Sequence, residues 1–90
     1  MALSLTRLKS FIKDSEKIKL TDKHFTRFVE YLYLLSQEHP LPAEAKDHAL
    51  NGEWVDFREF HISGDVLVIY RIENDSVKLV RIGSHSQLFG

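Results

Sequence analysis

Two histidines and an aspartate near the end of the chain carry side chains that could transfer protons. His61 and Asp65 lie four positions apart, and His85 follows twenty positions later. Imidazole titrates near neutrality, so two histidines held together can present a base and an acid at the same pH. The spacing matches no compact zinc motif such as H-E-x-x-H, and the chain has no cysteine. General acid–base chemistry therefore fits these residues better than a metal site, and we expect no metal.

Each of these side chains also has a structural alternative. His85 is five residues from the end of the chain and could be an exposed tail histidine. His61 lies two positions from Glu59 and could be a strand histidine paired with that carboxylate. Asp65 follows Ser63-Gly64 and could serve only the turn. Chemistry requires that the fold bring these groups together.

Three runs in the second half of the chain have the composition of strands. Residues 54–62 and 76–82 alternate between apolar and polar side chains, and residues 66–72 are almost continuously apolar, as in a strand buried on both faces. The pairs Ser63-Gly64 and Asn74-Asp75 between them form turns readily. The pattern predicts a three-stranded antiparallel meander.

The two turns define a register that gathers the polar groups. The turn at Asn74-Asp75 places Asp65 opposite Ser84, and the turn at Ser63-Gly64 places His61 opposite Val66. Opposed residues have Cβ atoms about 5 Å apart. We therefore predict that His61, Asp65 and His85 lie together at one end of the sheet.

Arg81 is a cation on the last strand. Period-two alternation gives it the same face as Val77 and Leu79. An arginine among apolar neighbours suggests a side chain that points across a cleft, and the alternative is an ion pair with Glu59 or Asp75.

Two helices are expected in the first half of the chain. Residues 7–19 carry apolar side chains at helical spacing, and Thr21 begins a second helix that extends until Pro40. The residues before Arg7 are a candidate first strand. We assign to the core the apolar side chains of the second helix, Phe25, Phe28, Val29, Leu32 and Leu35.

These elements predict an α+β fold in which a two-helix hairpin packs on a small antiparallel sheet. Ninety residues are enough for one domain, residues 1–90. No apolar run has the length of a membrane span, and the first residues carry charge where a signal peptide would be apolar. We expect a cytoplasmic protein without a cofactor or a membrane partner.

The net charge of −1 argues against nucleic-acid binding through bulk charge. The charge is uneven, because residues 1–40 have seven basic and five acidic side chains while residues 41–90 have five and eight. Lys9, Lys13 and Lys17 form a stripe at helical spacing. That stripe is either a solvated face or a local basic surface.

Four fragments resemble a known family. KDHAL (46–50), GEWVDFREFHI (52–62), GDVLVIYRI (64–72) and VRIGSHSQLFG (80–90) are similar, in this order, to the YafQ branch of the RelE-type bacterial toxins. The resemblance covers residues 41–90. It implies a type II toxin–antitoxin toxin with the small microbial ribonuclease fold, two helices against an antiparallel sheet with an extra N-terminal strand at one edge.

The resemblance also implies an activity and partners. Such a toxin is an endoribonuclease that enters the ribosomal A site and cuts the mRNA there. We expect a cognate antitoxin, the ribosome with its RNA and mRNA as partners, and a monomer when the toxin is free. The Lys9, Lys13 and Lys17 stripe becomes the candidate ribosome-binding face.

The family resemblance implies specific site residues. His48, which the strand register does not position, joins the same cleft. His48 or His61 would be the base, with Asp65 assisting a histidine, His85 the acid and Arg81 the cation on the phosphate. The expected substrate contacts are Arg58, Glu59 and Phe89.

The chain departs from the family at three positions. Ala49 and Gly64 replace residues that are often proline, and Val66 replaces a tryptophan of some members. We expect these changes to alter loop rigidity and the contacts with mRNA, while the ionisable groups stay in place. Two other classes stay open. One is a gyrase-inhibiting toxin of the same fold, and the other is an interaction domain whose histidines are incidental.

Overall fold

The structure, a computed structural model, describes residues 2–90 and has a five-stranded mixed sheet. The sheet order is β1-β5-β4-β3-β2, in which β1 runs parallel to β5 and the other neighbours are antiparallel. Two short 3₁₀ turns, Ala43–Ala45 and Gly52–Trp54, flank β2. The elements in chain order are β1 (Ser4–Arg7), α1 (Lys9–Ser15), α2 (Asp22–Ser36), β2 (His48–Ala49), β3 (Arg58–His61), β4 (Leu67–Glu73), β5 (Ser76–Gly83) and α3 (His85–Phe89).

Most elements in the first half of the chain agree with those predicted from the sequence. The candidate first strand is β1, at the sheet edge beside β5. The Thr21 hydroxyl accepts a hydrogen bond from the His24 amide at 3.2 Å and so caps α2 as predicted. α1 is shorter than the predicted helix at both ends: it begins at Lys9, because Arg7 pairs with β5, and it ends at Ser15 rather than at residue 19. α2 ends at Ser36, before Pro40, and Glu38 then adopts a left-handed φ of 58°.

One face of the sheet packs against the helices. Tyr31 of α2 meets Phe60 of β3 edge to face, with ring centroids 5.7 Å apart. Because the helix turns Tyr31 toward the sheet, Phe25 and Val29 lie toward its outer side and are 55% and 47% exposed. The assignment of these two residues to the core was therefore wrong. The buried cluster on this face includes Phe11, Tyr31, Leu35, Phe60, Ile62, Val68, Tyr70, Val77, Leu79 and Ile82.

The other face of the sheet carries a smaller apolar cluster and no long helix among residues 2–90. Leu67 and Ile69 of β4 are buried there against Val80 and Leu88. The partly buried residues around them are Leu50, Trp54, Phe57 and Phe89. This second face, which we call the open face, is where polar side chains can reach solvent.

The predicted strand register is wrong by one residue at the first turn, where His61 lies opposite Leu67 rather than Val66. It is correct near the second turn and wrong beyond it. Asn74 and Asp75 both have positive φ, and Glu73 lies opposite Ser76 as expected. A bulge then leaves Val80 unpaired, since Tyr70 lies opposite Leu79 while Ile69 lies opposite Arg81. From that point each β5 residue faces a β4 residue one position further along the chain than predicted, so that Gly83 lies opposite Leu67.

The bulge also corrects the position of Arg81. A bulge adds a residue to one strand and so inverts the alternation beyond it. Val77 and Leu79 therefore face the helices, opposite Ile72 and Tyr70, while Arg81 lies on the open face beside Ile69. Arg81 does point into a cleft, but it does not share a face with Val77 and Leu79.

Two short elements were not predicted, and one predicted strand is shorter than expected. β2 has two residues and is recognisable only by its pairing with β3. β3 begins at Arg58 rather than Trp54, because residues 52–54 form a 3₁₀ turn that returns the chain beside β2. The last residues form α3, whose Ser84 side chain accepts from the Gln87 amide in a capping box.

No helix among residues 2–90 combines the length and apolar character that crossing a membrane requires.

Candidate active site

A buried glutamate lies between two histidines on the open face. Glu59 of β3 is directly opposite His48 of β2, and His61 follows two positions later on the same strand. Glu59 Oε1 lies 3.3 Å from His48 Nε2, and Oε2 lies 3.2 Å from His61 Nε2. The Glu59 side chain is only 7% exposed, so these imidazoles are its main compensation for burial. The predicted shared face of Glu59 and His61 is confirmed.

The proton arrangement of His48 follows from its second contact. His48 Nδ1 lies 2.6 Å from the Lys46 carbonyl oxygen. A carbonyl only accepts, so Nδ1 is the nitrogen that donates in this contact. Lys46 has a left-handed φ of 51°, which lets the chain turn between its carbonyl and the histidine. The other ring nitrogen of His48, Nε2, faces Glu59.

Asp47, the residue just before β2, anchors this segment on the side of the sheet opposite His48 and Glu59. Asp47 Oδ1 accepts a hydrogen bond from the Tyr70 hydroxyl at 2.7 Å and from Arg58 Nε at 3.3 Å. Burial, followed by the bond to Asp47, raises the pKa of Tyr70 above its usual value. The hydrogen bond with Tyr70 contributes most to raising the pKa of Arg58. Arg58 thus lies across the sheet from Glu59, and its contact with substrate stays a prediction.

Arg81 is held by an aspartate from α1. Its Nε and Nη2 donate to the two carboxylate oxygens of Asp14 at 2.6 and 3.1 Å. This hydrogen bonding raises the pKa of Arg81. The expected alternatives, Glu59 and Asp75, are not its partners. Arg81 lines a cleft of about 200 Å³ together with Asp14, Lys17, Ile18, Ile82 and Gln87.

His85 is the first residue of α3, at the end of the sheet where His61 also lies. His61 and Gly83 are both opposite Leu67, so α3 begins just beyond the row that contains His61. The rings of His85 and Phe89 are 4.9 Å apart, one helical turn from each other. Phe89 in turn meets Trp54 edge to face at 5.9 Å. The terminal aromatic residue therefore braces the exposed histidine.

Asp65 lies in the loop between β3 and β4 and is exposed. The Ser63 hydroxyl accepts hydrogen bonds from the amides of Asp65 and Val66, which gives Ser63 the main role in shaping this turn. Within residues 2–90 the Asp65 carboxylate forms neither a hydrogen bond nor an ion pair. Its role in catalysis stays a prediction.

The three lysines of the stripe are exposed, but only two are helical. Lys9 and Lys13 belong to α1, while Lys17 lies two residues beyond its end. Lys17 borders the Arg81 cleft. The stripe therefore extends from the outside of α1 toward the candidate site.

The open face can supply proton acceptors, proton donors and a cation to one substrate. Adjacent strands lie about 4.8 Å apart, so the row His48, Glu59, Ile69 and Arg81 crosses four strands in about 15 Å. Within residues 2–90, no group of three or more His, Cys, Asp or Glu side chains is arranged to hold a metal ion. The residues missed from the sequence are Asp14 and the Asp47–Tyr70 pair, whose partners are distant along the chain.

Comparison with known proteins gives a consistent family. A family model described as a bacterial toxin of type II toxin–antitoxin system, YafQ, matches residues 3–90. The mRNA interferase toxin YafQ of Escherichia coli is 34% identical over 80 residues, which cover 84% of this chain and 87% of that protein.

Solved structures share the whole fold. A copper-bound mutant toxin from Helicobacter pylori superposes with a TM-score of 0.86 at 40% identity, over 97% of this chain and 99% of that one. A chain of the E. coli DinJ–YafQ toxin–antitoxin complex superposes with a TM-score of 0.84 at 28% identity, over the full length of both chains.

Proposed function

Since the chain belongs to the YafQ family of bacterial toxins of type II toxin–antitoxin systems, we propose that it is an endoribonuclease that cuts mRNA in the A site of the ribosome. The E. coli relative carries the name mRNA interferase. The observation that carries the proposal is the placement of two histidines on one buried glutamate, at the sheet end where a third histidine begins α3.

The first chemical step requires a base for the ribose 2′-hydroxyl. His48 or His61 takes this proton, and the 2′-oxygen attacks the adjacent phosphorus. Glu59 contacts Nε2 of both rings and stabilises the imidazolium that results. Asp65 assists a histidine when substrate is bound. The phosphorus then carries an additional oxygen and the negative charge of a phosphorane.

The second step requires a cation and an acid. The Arg81 guanidinium faces the phosphorane oxygens, and His85 protonates the departing 5′-oxygen. The products are a 2′,3′-cyclic phosphate and a 5′-hydroxyl, with no metal ion in the reaction. Phe89 stacks on a base or braces His85, and Glu59 lies on the same face as the histidines. The predicted substrate contact of Arg58 would form on the opposite side of the sheet, where Arg58 pairs with Asp47.

The partners follow from this activity. The ribosome presents the mRNA, which is consistent with a net charge of −1 on the chain. Lys9, Lys13 and Lys17 contact ribosomal RNA. A cognate antitoxin binds the toxin, as DinJ binds YafQ in E. coli, and the free toxin is a cytoplasmic monomer with the RelE/ParE-like ribonuclease fold and its helical hairpin.

Mapping of cleavage sites tests the proposal. Purified protein is incubated with mRNA, with and without translating ribosomes, and the cuts are located by primer extension. We expect cuts inside codons only with ribosomes, and their loss in His85→Ala. His24→Ala, which changes a half-buried histidine of α2 outside the histidine cluster, is the matched control and should cut normally.

Two outcomes contradict the proposal in different ways. A folded protein that cuts in neither condition favours the gyrase-inhibiting class. Activity that survives simultaneous substitution of His48, His61 and His85 favours an interaction domain whose histidines are incidental.

A further inference from the structure

Asp14 has the most heavily engaged carboxylate outside the histidine cluster. Besides the two bonds from Arg81, its Oδ2 accepts the amide N–H of Ile82 at 3.1 Å. The Asp14 side chain is 13% exposed and the Arg81 side chain 30%. A two-point bond to a largely buried carboxylate fixes both the position and the plane of a guanidinium.

The bond has a defined place in the sheet. β1 pairs with β5 only as far as Leu79, which accepts the Leu8 amide at 3.0 Å. Beyond that point α1 side chains occupy the edge of β5. Ser10 Oγ donates to the Val80 carbonyl at 2.6 Å, and Asp14 accepts the Ile82 amide.

Ser10 and Asp14 are one helical turn apart and contact β5 on either side of Arg81. They satisfy backbone groups that an edge strand would otherwise expose. The helix thereby attaches to the strand at the bulge that brings Arg81 to the open face.

We propose that Asp14 is a positioning residue that holds the Arg81 guanidinium in the cleft, ready for the scissile phosphate of the RNA. This inference rests on the proposed nuclease function. An unpaired arginine samples many rotamers and would lose that freedom on reaching the transition state. With Asp14 in place, Arg81 loses its rotamer freedom on folding rather than on reaching the transition state. The N–H groups of Arg81 that Asp14 does not bind remain available to phosphate oxygens.

The carboxylate has an opposite effect on substrate binding. A negative charge beside Arg81 reduces the attraction of the cleft for a phosphate in the ground state as well as in the transition state. Removal of that charge should therefore leave KM unchanged or lower it, while the loss of the two-point bond that positions Arg81 lowers the cleavage rate. A residue needed only for folding would not separate the two quantities.

The test compares Asp14→Asn with wild type in single-turnover cleavage on programmed ribosomes. Asparagine has the size of aspartate and keeps one acceptor oxygen. It has no negative charge, and it presents an NH₂ group where the guanidinium needs a second acceptor. We expect a fall of about 10-fold to 100-fold in the maximal rate, with KM unchanged or lower. Asp14→Glu should restore part of the rate. The control is Glu16→Gln, which removes an exposed carboxylate two residues away and should behave as wild type.

A second readout does not depend on activity. The Nε–Hε signal of Arg81 in an NMR spectrum should exchange slowly with solvent in wild type and in Glu16→Gln, and rapidly in Asp14→Asn. An unchanged maximal rate in Asp14→Asn, or a slow signal in that variant, overturns the inference. If wild type cuts no RNA the proposed nuclease is wrong, whereas the Arg81 signal still shows whether Asp14 holds the side chain.

Discussion

At the scale of single residues, the least expected feature is a carboxylate buried with two imidazoles. Burial of an unpaired charge is costly, and removing one partner of a buried pair leaves the other uncompensated. Glu59 offsets part of this cost because a histidine nitrogen lies near each oxygen, although the buried Oε2 has no hydrogen-bond partner within residues 2–90. The same contacts orient both imidazoles, so Glu59 is at once a buried residue of the sheet and a neighbour of the proposed catalytic histidines.

Substitution of Glu59 by Gln should therefore reduce cleavage strongly. The amide retains one acceptor oxygen but presents an NH₂ group to the second imidazole, which loses its anionic partner. We expect cleavage to fall about 100-fold, near the lower end of what acid–base groups contribute. Rates are measured on programmed ribosomes with circular dichroism as the folding check. Glu53→Gln, an exposed glutamate in the neighbouring turn, should cut normally. Equal rates in both variants would contradict a role for Glu59.

At the scale of elements, short segments position the chemistry. β2 has only two residues, yet it directs His48 to Glu59 on one side of the sheet, while Asp47, the residue just before it, reaches Tyr70 on the other. α3 is similarly short and depends on its cap and on the packing of Leu88. A Cβ added at Gly83 would come within 3.2 Å of Leu88, which shows how closely α3 packs on β5.

Loss of the α3 cap should affect His85 through the helix that carries it. Ser84→Ala removes the acceptor of the Gln87 amide, which costs about 1 kcal/mol of helix stability. We expect faster hydrogen exchange of the α3 amides by NMR and slower RNA cleavage, with the rest of the sheet unchanged. Ser86→Ala, in the same helix, does not remove the capping bond and serves as the control. Unchanged exchange in Ser84→Ala would show that packing alone maintains α3.

At the scale of the whole molecule, the two sheet faces have separate tasks. The helices and the larger apolar cluster stabilise one face. The other face carries the small apolar cluster, the C-terminal helix and the polar side chains of His48, Glu59 and Arg81. The molecule measures 34 × 31 × 25 Å and has a net charge of −1, so the proposed attraction to RNA would depend on local basic surfaces.

The lysine stripe should account for part of that attraction. Reversal of Lys9, Lys13 and Lys17 to Glu is expected to weaken ribosome binding and to reduce its salt dependence by about one unit of slope for each phosphate that a lysine no longer neutralises. Binding is measured by co-sedimentation with ribosomes over a range of salt concentrations. A reversal of Lys19, Lys23 and Lys78 changes the net charge equally and should have a smaller effect. Equal effects would show that the stripe is only a solvated face.

Local patterns predicted much of this protein. The Asn74-Asp75 turn, the cap at Thr21, and the shared face of Glu59 and His61 depend on dihedral preference and on strand alternation, which neighbouring residues determine. The α+β class follows from the same signals. The family resemblance in the last fifty residues added His48 to the site, which no spacing required.

Tertiary structure decided which distant groups meet. The bulge at Val80 turned Arg81 to the open face, and a helix 67 residues earlier in the chain supplied its partner Asp14. β2 exists because His48 and Ala49 find an edge of β3, a pairing too short to show in a periodic pattern. Such contacts depend on the position of a whole element against another, whereas the sequence near each residue encodes only its own backbone preferences.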